Sequence, residues 1–211
     1  MDARFAHVDD WIFDLDNTLY PASTRLFDLI DARMTAYVGR VMGSDPIEAR
    51  RVQKSYFRDH GTTLAGLMKN HDVDPKHFLD EVHAIELDRV APDEKLARGL
   101  SALPGRRFVF TNGDADYAGR VLSAIGIGDQ FHGLVDIHAC DYLPQPDAHG
   151  YRVLVEDMAK NLRPAKALGM TTVWVDNGSD HGDHDADPAA IDHVIHDVGD
   201  WLQTILEGSD H

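Results

Sequence analysis

The chain has 211 residues, 43% hydrophobic and 27% charged, with a formal net charge of −16 and a single cysteine, Cys140. That length supports one sizeable core with a smaller second lobe; no apolar stretch reaches the ~18 residues that span a bilayer, and no basic-then-apolar leader opens the chain. One cysteine makes no internal disulfide, so a cytoplasmic setting is expected, and the acidic field disfavours nucleic-acid polymers and membranes as partners.

Trp11-Ile12-Phe13 is a short aromatic and β-branched run that reads as a buried strand. It leads into Asp14-Leu15-Asp16-Asn17-Thr18. From 22 to 100 no strand pattern occurs. Leu26, Ile30, Met34, Val38 and Met42 recur every fourth residue, which marks an amphipathic helix. Asp45-Pro46-Ile47-Glu48 then carries a helix start, with Asp as N-cap, Pro first and Glu third. Further helical patterns cover 49–60, 63–70, 76–87 and 93–103.

Beyond 100 the pattern alternates. Arg107-Phe108-Val109-Phe110 reads as a strand that ends at Thr111-Asn112-Gly113, and a helix is expected over 115–125, closed by Gly126. Gly133-Leu134-Val135-Asp136-Ile137 is a weaker strand. Val153-Leu154-Val155 is a strand that ends at Glu156-Asp157, followed by a helix over 158–168 with Gly169 just past its end. Thr171-Thr172-Val173-Trp174-Val175 is the next strand. The acidic run 180–187, with two histidines, reads as a solvated loop, since metal ligands are normally held by rigid elements and outer-shell partners.

Strands alternating with helices give an α/β fold with a doubly wound parallel sheet, and the all-helical stretch 22–100 reads as a cap inserted after the first strand. The core is then discontinuous, 1–21 with 101–211. In such sheets ligands bind at the carboxyl ends of the strands, where all three polar clusters fall. Asp14 and Asp16, two apart on extended chain, point the same way. Crowded carboxylates call for a divalent cation or a shared proton. One could attack phosphorus while the other, protonated, gives its proton to the leaving oxygen. An acidic turn with Thr18 capping the next segment accounts for the pair equally well.

Asp14-Leu15-Asp16-Asn17-Thr18-Leu19-Tyr20, with Thr111-Asn112-Gly113 and Glu156-Asp157-Met158-Ala159-Lys160-Asn161-Leu162, resembles the haloacid dehalogenase-like hydrolases, a Rossmann-like family. The Leu19-Tyr20 ending resembles their pyrimidine 5′-nucleotidase-like branch. The resemblance implies a phosphomonoester hydrolase acting through an aspartyl-phosphate on Asp14, with Asp16 as general acid and then base. It implies Mg²⁺ held by Asp14, the backbone carbonyl of Asp16, Asp157 and, through water, Glu156. Thr111 and Asn112 would bond the transferring phosphoryl group. The implied substrate is a small phosphorylated metabolite, with pyrimidine nucleoside 5′-monophosphates the first candidates.

Two departures accompany the resemblance. Gln145 stands where the family carries a phosphate-binding lysine, offering a hydrogen bond without a charge. Only ten residues separate Gln145 from Glu156, so a helix of the family is missing. A catalytically impaired protein of the same fold that binds Mg²⁺ or a phosphate ligand is therefore the alternative. The missing helix also leads us to expect an uncovered apolar face involving Phe108, Phe110, Val153 and Val155, with self-association as one way of covering it.

Overall fold

The computed structural model describes residues 1–137, 152–179 and 182–208. Two compact units emerge, one from 1–24 with 90–211 and one from 25–89. The first holds a six-stranded, all-parallel sheet in the order β3-β2-β1-β4-β5-β6. Its strands are β1 (Asp10–Phe13), β2 (Arg106–Phe110), β3 (Gly133–Val135), β4 (Arg152–Glu156), β5 (Thr171–Val175) and β6 (His193–Ile195). None of the described helices is long and apolar enough to cross a membrane.

Register decides which side chains share a face. Trp11 pairs with Arg107 and Val153, and Phe13 with Val109 and Val155. Side chains alternate along a strand, so Trp11, Phe13, Val109, Val153, Val155, Val173 and Val175 form one layer, and all are buried. The helices α5 (Glu94–Ala102), α6 (Ala115–Ile125) and α8 (Val198–Glu207) serve this side. Trp201 of α8 meets Trp11 edge-on, with centroids 6.2 Å apart. The opposite layer contains Ile12, Phe108, Phe110, Leu154 and Trp174. There α7 (Leu162–Ala167) packs Leu162 and Ala165 with Leu154 and Met170. Right-handed crossovers require this division: α5 and α6 connect strands running toward the β3 edge, whereas α7 connects strands running the other way.

Among the described residues the expected apolar patch beside the β4 valines does not form. Val153 and Val155 are fully buried because they face the helix-covered layer. Phe108 and Phe110, on the other face, are half-buried. At the amino ends Asp10 is the register partner of Arg106 and Arg152 and forms ion pairs of 2.8 and 3.3 Å with them, a charged cross-strand contact that supports this register.

The second unit comprises α1 (Leu26–Met42), α2 (Pro46–His60), α3 (Thr63–His71) and α4 (Pro75–Val82). The Asp45 carboxylate accepts from the N–H groups of Ile47 and Glu48, so the expected helix start forms. The helix expected over 76–87 ends earlier, at Val82. There His83 closes the last turn, its N–H donating to Leu79 O at 3.0 Å, and Ile85 N–H turns back onto His83 O at 2.8 Å. The segment 93–103, expected in the helical insert, belongs to the first unit as α5. Gly99 lets α5 approach α8 closely, since a Cβ there would lie 2.8 Å from that of Leu202. The helix expected over 158–168 divides into a 3-10 turn, Ala159–Asn161, and α7.

Candidate active site

Asp14 follows the last residue of β1, at the middle of the sheet. Its N–H donates to Val155 O at 2.9 Å, so the β4 ladder continues one step past the strand and fixes where the aspartate begins. The chain then reverses. Asn17 adopts φ 59°, a left-handed conformation that asparagine tolerates better than most residues. The N–H groups of Thr18 and Leu19 close back onto Leu15 O at 3.3 and 3.0 Å. The side-chain amide of Asn177, after β5, donates to the Asn17 carbonyl, and Ser179 N–H donates to Asn177 Oδ1 at 3.1 Å. The loop after β5 thus braces the loop after β1.

Carboxylate oxygens of Asp14, Glu156 and Asp157 all lie within 4.8 Å of one another. Each residue is buried. Burial first, and then the charges of Glu156, Asp157 and Asp16, push Asp14 well above the usual carboxylate range. Burial and Asp157 raise Glu156 to about 8, and burial raises Asp157 to about 7, with Asp16 adding to the rise. Glu156 Oε1 is fixed by Met158 N–H at 3.1 Å and Asn161 Nδ2 at 3.0 Å. Asp14 Oδ2 is buried without a hydrogen-bond partner. An all-oxygen donor set with an orphaned carboxylate oxygen fits a hard divalent cation, which would relieve the mutual repulsion. Among the described residues this is the single group with metal-ligating geometry.

Thr111 lies just past β2 and is buried. Its hydroxyl accepts from Gly113 N–H at 3.0 Å, leaving the hydroxyl hydrogen for another acceptor. Asn112 is exposed. Gln145 lies outside the described residues, as does Cys140. Lys160, the cation nearest the acidic pair in sequence, is partly buried. Burial lowers its pKa, opposed by Asp185 and Glu156. In the acidic run, Arg163 reaches Asp185 O at 2.6 Å and Asp187 at 3.8 Å.

The Asp16 carboxylate is not part of the three-residue acidic group. Its Oδ1 accepts from Tyr20 at 2.6 Å and from Tyr117 at 2.7 Å. Tyr20, which ends the first motif, is buried against the aspartate. Tyr117, Asn177 and Ser179 carry no motif and were not expected here, and Asn161, though inside the third motif, was given no role. Their only sequence signal is position, each a few residues past the end of a strand.

A family model described as haloacid dehalogenase-like hydrolase matches residues 11–170. Phosphate metabolism protein 8 of Saccharomyces cerevisiae is 27% identical over 190 residues, covering 76% of this chain and 59% of that protein. The chain therefore spans about three-fifths of the length of this curated relative. Among solved structures, a HAD phosphatase from Thermococcus onnurineus superposes with TM-score 0.58 at 18% identity, covering 95% of this chain and 99% of the other. The L-2-haloacid dehalogenase of Xanthobacter autotrophicus gives 0.56 at 16% identity over 96% and 100%. The magnesium-bound HAD-hydrolase YfnB of Bacillus subtilis gives 0.55 at 11% over 94% and 99%. At these identities the structural likenesses establish the fold.

Proposed function

The chain belongs to the haloacid dehalogenase-like hydrolase family, and from that premise we propose that it is a Mg²⁺-dependent phosphomonoesterase acting on a small phosphorylated metabolite. The observation that carries the reading is the buried Asp14 carboxylate at the end of β1, with one oxygen unpartnered and Glu156 and Asp157 beside it. Asp16 supports it further, because releasing a halide needs no proton donor whereas releasing an alkoxide does. The yeast relative is named for phosphate metabolism. The Leu19-Tyr20 ending keeps pyrimidine nucleoside 5′-monophosphates as the first substrates to try.

In this mechanism Asp14 attacks phosphorus through a carboxylate oxygen. The bond from phosphorus to the ester oxygen breaks, and that oxygen takes a proton from Asp16. Water then attacks the aspartyl-phosphate and gives its proton to Asp16, the bond to Asp14 breaks, and inorganic phosphate leaves. Thr111 and Asn112 donate hydrogen bonds to the transferring group. Mg²⁺ would be held by Asp14, Asp157 and the Asp16 carbonyl, with Glu156 in support, and would neutralise charge on the phosphoryl oxygens.

The test is phosphate release from a panel of nucleoside monophosphates and sugar phosphates, with and without Mg²⁺. Turnover should require the metal and fall at least ~10³-fold in Asp14→Asn, which removes the nucleophile but keeps the side chain's size. Equal turnover in Asp14→Asn would remove the mechanism. Gln145 favours a second reading, a phosphate- or cation-binding protein with little turnover. A neutral donor in place of a lysine forfeits a charge-assisted bond at the transition state, a loss on the order of 10²–10³ in rate. Gln145→Lys should recover on the order of 10² in kcat if that residue reaches the phosphate. A wild type that binds Mg²⁺ yet releases no phosphate, before or after this change, would establish the second reading.

A further inference from the structure

The two tyrosines on Asp16 have no part in the mechanism above, yet both are buried and both end on one atom. Tyr20 comes from the loop after β1 and Tyr117 from the first turn of α6. Their hydroxyl oxygens are 3.5 Å apart, and each lies within 2.7 Å of Asp16 Oδ1. Tyr117 is itself placed by the Asp114 carboxylate, which accepts its N–H at 2.8 Å and caps α6. A carboxylate oxygen has two lone-pair sites, and here both are occupied by phenol hydrogens. That oxygen cannot also carry the proton Asp16 exchanges with substrate.

We infer that Tyr20 and Tyr117 are positioning residues that clamp Asp16 through Oδ1, so that Oδ2 is the oxygen that gives the proton to the leaving group and takes one from water. The inference rests on the phosphomonoesterase reading and deepens it. An aspartate has two side-chain torsions to fix, and a general acid works only when its proton lies within hydrogen-bond reach of the reacting oxygen. Two donors arriving from separate elements hold both torsions. Tyrosine suits the role because each ring is buried hydrophobic structure while each hydroxyl meets the carboxylate.

The test compares leaving groups. 4-Nitrophenolate departs without needing a proton, whereas the alkoxide of an alkyl phosphate does need one. Because kcat/KM reports steps up to ester cleavage, it isolates the proton-donating half of the reaction. Tyr117→Phe keeps the ring and removes the donor. Its kcat/KM on the alkyl phosphomonoester turned over fastest in the panel should fall about tenfold or more, while on 4-nitrophenyl phosphate it falls at most about threefold. Tyr20→Phe should show the same split, and it carries the comparison if Tyr117→Phe does not fold.

Equal losses on both substrates would mean the tyrosines only support structure and would overturn the inference. Unchanged kcat/KM on both would overturn it too. If the wild type hydrolyses 4-nitrophenyl phosphate alone, Asp16 delivers no proton and the clamp has no catalytic role. A wild type inactive on every ester removes the phosphomonoesterase reading and the inference with it. Wild-type turnover with equal losses removes the inference alone.

Discussion

At the scale of single residues, the site is built on electrostatic tension. Glu156 moves from an ordinary 4.5 to about 8, and Asp157 from 3.8 to about 7, with burial the first cause of each. Carboxyls raised in this way bind protons more tightly in the folded chain than in the unfolded one. They therefore favour folding below about pH 4 and lose that contribution as pH rises toward about 8. Metal-free protein should melt at a lower temperature at pH 8 than at pH 5. Mg²⁺ should raise the melting temperature more at pH 8, where it replaces protons that have already left. Calorimetry with and without chelator at the two pH values measures both; a Mg²⁺ effect larger at pH 5 would place the cation elsewhere. Asp157→Asn removes one of the crowded charges, so it should stabilise the metal-free protein by about 1 kcal/mol at pH 8 while abolishing the response to Mg²⁺, a stability gain bought at a functional site. The three carboxylates were legible in sequence because each follows an apolar run whose end can be read. The tyrosine pair was not, because Tyr117 meets Asp16 across 101 positions and no local pattern encodes that meeting.

At the scale of elements, legibility followed local chemistry. The start of α2 was readable because Asp45-Pro46-Ile47-Glu48 satisfies its own first N–H groups. The end of α6 was readable because Gly126 takes φ 82° at little cost. By contrast, β6 has three residues and gains its identity from pairing Val173 with His193 and Val175 with Ile195, a long-range event. The helix α8, which follows it, carried visible signals in Asp197, Val198, Leu202, Ile205 and Gly208, yet no element was read there. The helix α5 was readable as a helix but not as part of the sheet unit, since its partner α8 lies about a hundred residues away. The glycine at their crossing makes that assignment testable. In Gly99→Ala the added methyl falls 2.8 Å from Leu202 Cβ and 3.0 Å from its Cδ1. Helix propensity favours alanine by about 1 kcal/mol, but overpacking costs about 1–3 kcal/mol, so a net destabilisation of about 1 kcal/mol is expected. Chemical denaturation measures the sum. A stabilised Gly99→Ala would mean α5 and α8 do not meet as closely as they do here.

At the scale of the whole molecule, the family match and the sheet order explain why the site lies at the carboxyl ends of the central strands, but they leave the net charge of −16 unexplained. A chain this acidic attracts a divalent cation and repels a phosphate ester, so the two reactants of the proposed reaction feel opposite long-range forces. Salt separates them. The Debye length shortens from ~30 Å at 0.01 M to ~8 Å at 0.15 M, which removes most of the field beyond the site while leaving contacts inside it nearly intact. Raising neutral salt over that range should therefore weaken Mg²⁺ binding, so that half-saturation moves to higher metal concentration. At saturating Mg²⁺ the same change should raise kcat/KM for a phosphate ester by about two- to tenfold, because capture of the anion is no longer opposed. The effect should reside in KM, since kcat is set by groups already in contact. Initial rates at fixed pH and saturating Mg²⁺ across a sodium chloride series measure it. If kcat/KM falls instead, cations local to the site govern substrate capture and outweigh the acidic surface. The proposed replacement of the family's lysine by the uncharged Gln145 argues against that outcome.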